Sequence, residues 1–280
     1  MSVVLVKKLT NDIKCSMVVE TDEDRVRFQI LESWSSEWKM LFNMDKCPVI
    51  HAGKPTKYRW GGGELEVTDA EKDVGVMITA NLKPSVQCAR VAKKANMVLG
   101  QLARGVTYRD RVTFVRLYQV FVLPHLSYSV PAWAPYTMAD KELLEKVQRR
   151  AIMMVSNIKG SYEERLANLG MRTLGDRRMR GDLIETYKIL TGKSDVKYQT
   201  WFQLARDEVG TVDTRAKTGH LNLSRPPNAT SDVRKNFFSQ RVVPHWNQLP
   251  DHVKMVQKTN DFKNAYDRHI GYERNYVVNQ

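Results

Sequence analysis

Residues 83–104 read KPSVQCARVAKKANMVLGQLAR and mark the point where the chain changes from short strands to helices. Pro84 stands where a helix can begin, because a proline in the first turn gives up no intrahelical hydrogen bond. Four apolar residues then recur at helical spacing and predict the buried face, namely Val91, Ala95, Val98 and Leu102. The stretch therefore predicts a long helix with one apolar side.

The same stretch is strongly basic. Residues 83–116 hold eight Lys and Arg residues against one acid, a net charge of +7, whereas residues 1–82 hold eleven against thirteen. Four cations lie beside the apolar face of the predicted helix, namely Arg90, Lys93, Lys94 and Arg104. A concentrated positive surface is typical of polyanion-binding proteins. A solvated basic face without a partner is the alternative.

The flanking sequence predicts an α+β fold. Before residue 80, short β-prone runs are separated by Gly61-Gly62-Gly63 and by an acidic turn, and a hairpin is predicted over residues 2–20. After residue 82, further helices are predicted over residues 110–128, 138–156, 161–169 and 174–190. We therefore expect three regions. Residues 1–80 contain short strands, residues 81–192 are mainly helical, and residues 193–280 form an irregular tail with a helix at 260–269.

Composition narrows the class of protein. The 280 residues contain no apolar run near the ~20 residues that span a bilayer. Three scattered cysteines and six histidines show no metal-ligand spacing, so neither a zinc site nor a disulfide framework is predicted. We expect an intracellular protein with no metal, membrane or small-molecule partner. Composition does not distinguish the nucleus from the cytoplasm.

Motifs near the start carry a family resemblance. The hairpin tip reads Leu9-Thr10-Asn11-Asp12-Ile13-Lys14, and the next segment reads Trp34-x-x-x-Trp38-x-x-x-Phe42-Asn43-x-x-Lys46. Together with Asp73-Val74-Gly75-Val76, these resemble the end of the palm in reverse transcriptases of animal non-LTR retrotransposons. In that family the tip reads aromatic-Ala-Asp-Asp. Residues 1–80 are accordingly interpreted as a truncated palm remnant.

The rest of the chain resembles the thumb and post-thumb region of the same family. The motifs that carry this resemblance occur in one order along nearly the whole chain: Pro124-His125-Leu126-x-Tyr128, Pro131-Ala132-Trp133-Ala134-Pro135, Leu144-Glu145-x-Val147-Gln148-Arg149-Arg150-Ala151, Arg177-Arg178-x-Arg180-Gly181-Asp182 and Arg241-Val242-Val243-Pro244-x-Trp246-Asn247. The resemblance implies a fragment of an RNA-directed DNA polymerase.

The resemblance also implies a degenerate catalytic site. Polymerases hold two metal ions between carboxylates, and Asn11 stands where the family has the first aspartate, so only Asp12 remains at the tip. A neutral amide is a poor substitute for the anionic ligand of Mg²⁺. Lys46 matches a lysine that protonates the leaving pyrophosphate in the family, and a strand-end surface charge is its alternative. We expect no bound cofactor, although the family uses Mg²⁺, and no polymerase activity from this chain alone.

The predicted nucleic-acid contacts come from glycine and basic residues. Gly75 allows close approach of a phosphate backbone or simply forms a tight bend. Four further arginines are predicted to contact phosphates, namely Arg149, Arg150, Arg177 and Arg178. The alternative is that they pair within the protein with Glu142, Glu145, Glu163 or Glu164. Partners would be RNA, DNA or an RNA–DNA hybrid. A protein-interaction scaffold, or a decaying gene product without a selected activity, is the alternative function.

Overall fold

The computed structural model describes residues 5–9, 12–16, 33–39, 43, 46–53, 57–60, 62–205, 221–224 and 229–272. The chain divides into two compact units. The first comprises Met1–Asp73 and Ile78–Asn81, and the second comprises Val74–Met77 and Leu82–Gln280.

Short antiparallel hairpins make up the described strands. The strands are β1 (Leu5–Leu9), β2 (Asp12–Ser16), β3 (Arg59–Trp60), β4 (Gly63–Glu64), β5 (Ala70–Asp73) and β6 (Val76–Thr79). They pair as β1 with β2, β3 with β4, and β5 with β6. Leu9 lies opposite Asp12, which places the first hairpin where the sequence predicts it. Val49 and Val67 form an isolated parallel bridge outside these strands.

Residues 33–37 are helical, but the two tryptophans of this region are not core residues. Trp34 is half-buried and Trp38 is 64% exposed, so the Trp38 side chain does not belong to a hydrophobic core.

The second unit begins with one long helix and six shorter ones. They are α1 (Ser85–Gly105), α2 (Arg111–Leu117), α3 (Leu123–Ser127), α4 (Val130–Trp133), α5 (Met138–Met153), α6 (Tyr162–Leu169) and α7 (Leu174–Leu190). A π-helical turn, Tyr118–Val122, joins α2 to α3. The residues predicted as one helix over 110–128 are thus helical from Arg111 to Ser127, with a π-helical turn in the middle.

Residues beyond 192 add further short helices. They are a 3₁₀ turn at Tyr198–Thr200 and the helices α8 (Asp232–Lys235), α9 (Phe238–Arg241), α10 (Val243–Asn247), α11 (Asp251–Lys254) and α12 (Thr259–His269). Helix α12 lies where the sequence predicts the last helix. Residues 206–220 and 225–228 of the predicted irregular tail lie outside the described residues.

Side-chain caps explain where several helices begin. The Asp110 carboxylate accepts hydrogen bonds from the Val112 and Thr113 amides at the start of α2, and these bonds, led by that from Thr113, lower its pKa. Ser161 and Glu164 cap α6 reciprocally. Each cap satisfies amides that have no partner within the helix.

A first hydrophobic core forms where α1 packs against α5. The buried face of α1 consists of small residues and one leucine, Cys88, Ala92, Ala95 and Leu99, each at most 2% exposed. Val91, Val98 and Leu102 are only partly buried beside it. The predicted apolar stripe is therefore rotated around the helix, because small side chains allow two helix backbones to approach closely.

Helix α7 takes part in two cores. Leu174 belongs to the first, whereas Leu183 and Tyr187 belong to a second that contains Trp246 and Phe262. The described part of the region predicted as a tail thus contributes much of a packed core. The fold is mixed helical with small antiparallel sheets, in agreement with the predicted α+β class. Within the described ranges, no helix is long and apolar enough to cross a bilayer.

Candidate nucleic-acid interface

The outer face of α1 carries a row of free cations. Arg90, Lys93, Lys94 and Arg104 are all exposed. None of the four makes a hydrogen bond or an ion pair with the part of the chain that the structure describes. At 100° per residue, the four cations lie on the side of α1 opposite its buried residues Ala92, Ala95 and Leu99. The packing of α1 therefore directs these charges toward solvent.

The row is long enough to follow a nucleic-acid backbone. Arg90 and Arg104 are fourteen positions apart, which corresponds to about 21 Å along an α-helix. No acidic residue occurs in α1, whose sequence is SVQCARVAKKANMVLGQLARG. The positive potential of this face is therefore not neutralised within the helix. Cations with this spacing can each contact a different phosphate.

Arg150 extends the positive face from α5. Its side chain is exposed, and its Nη1 atom donates a 3.4 Å hydrogen bond to the Oδ1 atom of Asn96 on α1. This weak contact brings an arginine of one helix to the side of the other. Asn96 has no counterpart among the sequence predictions, because only the packing of α1 on α5 reveals its role.

Arg149 is occupied by intramolecular contacts. Its Nη1 atom lies 2.6 Å from Oε1 of Glu142, and its guanidinium lies 4.8 Å from the centroid of the Tyr162 ring. The hydrogen bond to Glu142 raises the pKa of Arg149. The pairing with Glu142, which the sequence left as the alternative, is the arrangement in the structure. A phosphate would have to compete with that carboxylate.

Arg177 and Arg178 lie in the first turns of α7. Arg177 is exposed and Arg178 is half-buried, and neither makes an ion pair with the described residues. Burial lowers the pKa of Arg178. The Nη1 atom of Arg178 is buried without a hydrogen-bond partner there. Glu145, one predicted partner, instead accepts hydrogen bonds from the Leu174 amide and the Tyr162 hydroxyl. No contact brings these arginines to the outer face of α1.

The conformation of Gly75 has an explanation within the protein. Val74 and Gly75 have φ of 44° and 87° in the turn between β5 and β6. A Cβ atom at Gly75 would lie 3.2 Å from the Tyr128 ring, and the Tyr128 hydroxyl donates a 3.0 Å hydrogen bond to the Val74 carbonyl. The positive φ favours glycine, and a Cβ atom would also push the Tyr128 ring by a few tenths of an ångström. The phosphate contact stays a prediction.

The residues of the predicted catalytic site are only partly described. Asn11 lies outside the described residues, and Asp12 begins β2. Lys46 is exposed, and its amide donates a 3.0 Å hydrogen bond to the Asn43 carbonyl. No group of three His, Cys, Asp or Glu residues in the described segments could hold a metal ion.

Arg109, another cation of the basic stretch, has a structural role. Arg109 donates hydrogen bonds to the Ala103 and Val106 carbonyls at the end of α1, at 2.5 and 3.1 Å. It therefore stabilises carbonyls that the helix leaves without partners. The free cations of α1 are distinguished from it by having no such acceptor.

Sequence reasoning missed an arginine cluster that includes Arg172. Asp267 of α12 accepts hydrogen bonds from Arg172, which lies 95 positions earlier in the sequence, and from Arg180, which lies 87 positions earlier. No local motif signals these contacts.

Searches for related proteins gave no significant match to any family model, curated protein or solved structure.

Proposed function

We propose that this chain is a C-terminal fragment of a non-LTR retrotransposon reverse transcriptase, and that it binds RNA, DNA or an RNA–DNA hybrid. It comprises the end of the palm followed by the thumb and post-thumb region. The family rests on the ordered motifs of the sequence. The binding rests on one observation, the row of exposed cations on the outer face of α1, which pair with no residue that the structure describes.

Phosphate binding by this row follows from its electrostatics. Each Lys or Arg that neutralises a phosphate releases condensed counterions, which makes the affinity depend on salt. Arg90, Lys93, Lys94 and Arg104 have no acceptor among the described residues to give up on binding, whereas Arg149 would have to leave Glu142. The four free cations, with Arg150 beside them, therefore dominate the expected interaction.

A salt titration of the full chain tests the binding. Fluorescence anisotropy with a labelled primer–template duplex should give saturable binding at low salt. Four phosphate contacts predict a slope of log affinity against log salt near −3.6 for duplex DNA, or near −2.8 for a single strand. A folded protein that does not bind at low salt, or binds with a slope near zero, would contradict the proposal.

We expect the chain to lack polymerase activity on its own. Asn11 stands at the position of a metal-binding aspartate, and an amide provides no negative charge to Mg²⁺. Primer extension on an RNA template, with Mg²⁺ or Mn²⁺, should give no product. Template-dependent synthesis would show that the substitution is tolerated. This experiment is independent of the binding measurement, since binding does not require a metal site.

A further inference from the structure

An exposed apolar groove runs along α2 and the π-helical turn. Its volume is about 310 Å³, and its lining consists of Val112, Thr113, Arg116, Leu117, Val120 and Phe121. Val120 is 63% exposed and Phe121 50% exposed. The core on the other side of these turns is formed by Phe114, Tyr118 and Val122. The groove residues are therefore not needed to fill the interior.

Two parallel rows of side chains form the groove. Residues 112, 116 and 120 are spaced four apart, and residues 113, 117 and 121 form the neighbouring row. Rows of this spacing are the ridges between which a second helix packs. The π-helical turn at Tyr118–Val122 widens the helix at the end where Val120 and Phe121 project. The backbone is helical throughout, so strand addition is not available to a ligand.

The groove has one charged lining residue. Arg116 is exposed and makes no ion pair or hydrogen bond with the described residues. Asp110, the one acid in residues 83–116, directs its Oδ1 atom to the Val112 and Thr113 amides at the cap of α2. An apolar surface beside a free guanidinium complements an apolar ligand that carries a negative charge.

We propose that this groove docks an acidic amphipathic helix of a partner protein. The apolar stripe of that helix would cover Val120 and Phe121, and a Glu or Asp at its edge would meet Arg116. A second copy of this chain in the same groove would place Arg116 against Arg116, which is repulsive. Nucleobases carry polar ring edges, and most of the lining offers them no hydrogen-bond partner.

The experiment uses a synthetic helical peptide of about 18 residues, or about five turns. It has a leucine stripe flanked by glutamates, and a matched peptide has lysines in place of the glutamates. Fluorescence anisotropy with the full chain should show saturable binding and a preference for the acidic peptide of about two- to fivefold per Glu–Arg pair. Arg116→Glu should reverse the preference.

Two apolar-to-polar variants locate the site. Phe121→Ser should weaken binding about tenfold or more, as for an aromatic anchor at an interface centre. Met255→Ser removes a similarly exposed apolar side chain on another segment, 61% exposed against 50% for Phe121, and should leave the affinity unchanged. Both residues are at the surface, and circular dichroism would verify that each variant is folded.

Several outcomes would overturn the docking proposal. They are no saturable binding of the acidic peptide at millimolar concentration, equal binding by Phe121→Ser, and an unchanged charge preference in Arg116→Glu. A single-stranded oligonucleotide that binds and is lost in Phe121→Ser, while the peptide does not bind, would assign the groove to nucleobases instead. Charge reversal on α1 should leave peptide binding intact, so this proposal and the proposed function can fail separately.

Discussion

Replacing Asp267 by asparagine tests the arginine cluster that connects α12 to the start of α7. The Oδ1 atom of Asp267 accepts hydrogen bonds from Arg172 Nη2 at 2.5 Å and Arg180 Nε at 2.7 Å. Its Oδ2 atom accepts one from Arg180 Nη2 at 2.9 Å. The Arg172 guanidinium also lies 3.5 Å from the centroid of the Tyr272 ring. One buried carboxylate therefore balances two arginines.

The magnitude follows from burial. The side chains of Asp267 and Arg172 are each 7% exposed, and that of Arg180 is 16% exposed. Removing one partner of a buried ion pair costs about 3–5 kcal/mol, because the remaining charge is left uncompensated. At about 2–4 °C per kcal/mol for a unit of this size, Asp267→Asn should lower Tm by about 6–20 °C.

Thermal unfolding followed by circular dichroism provides the assay. Asp232→Asn is the matched control, because the Asp232 side chain is 77% exposed and its Oδ1 atom lies 3.8 Å from the Nζ atom of Lys235. Its loss should cost less than about 1 kcal/mol. If both variants melted at the same temperature, the reasoning on the buried cluster would be refuted.

The stabilisation by Asp267 should also depend on pH. Burial acts to raise the pKa of Asp267, but the hydrogen bonds and charges of Arg180 and Arg172 outweigh it and lower the pKa. A depressed pKa means that the stabilisation is complete above the unfolded value of about 3.9 and is lost as pH falls through the folded value. The Tm difference between wild type and Asp267→Asn should therefore shrink in acid. A difference that stayed constant below that range would contradict this assignment.

Three further substitutions have defined expectations in thermal or denaturant unfolding. Gly75→Ala should destabilise by about 1–2 kcal/mol, because φ is 87° and the new Cβ atom would crowd Tyr128, and an unchanged midpoint would refute the turn assignment. Leu144→Ala should cost about 2–5 kcal/mol, since Leu144 is fully buried, and a smaller loss would mean that this core is loosely packed. Ser161→Ala should cost about 1 kcal/mol by removing the reciprocal cap with Glu164, and retained stability would show that the cap contributes little.

The longer helices of the second unit were predictable because their signals are local, whereas the short helices α4 and α8 to α11 were not predicted. Helix α7 occupies the predicted residues 174–190, and α1 begins directly after Pro84 and ends one residue beyond Arg104. The buried side of α1 was not predictable with the same accuracy. Hydropathy favours Val91 over Ala92, but the close approach of α5 selects the smaller residue for the interior.

The roles of individual arginines depend on which residues the fold brings next to them, and the sequence alone indicates only the nearby candidates. Arg149 and Glu142 are two helical turns apart, so their pairing could be considered beforehand as an alternative. Arg172 and Asp267 are 95 positions apart, and their pairing follows only from the packing of α12. The π-helical turn at Tyr118–Val122, by contrast, has a local cause, since Pro124 has no amide to donate to the Val120 carbonyl four residues earlier.

Nucleic-acid binding by the outer face of α1 is tested most directly by comparing two charge-reversed variants of the full chain. The first is Arg90→Glu/Lys93→Glu/Lys94→Glu. The second, with the same change in net charge on α12 and its cap, is Lys258→Glu/Lys263→Glu/Arg268→Glu. In anisotropy titrations with a labelled primer–template duplex at moderate salt, the α1 variant should lose at least about tenfold in affinity, and its salt slope should fall by about three. The α12 variant should bind nearly as well as the wild type. Equal losses in both variants would mean that only net charge matters, and would contradict a specific role for α1.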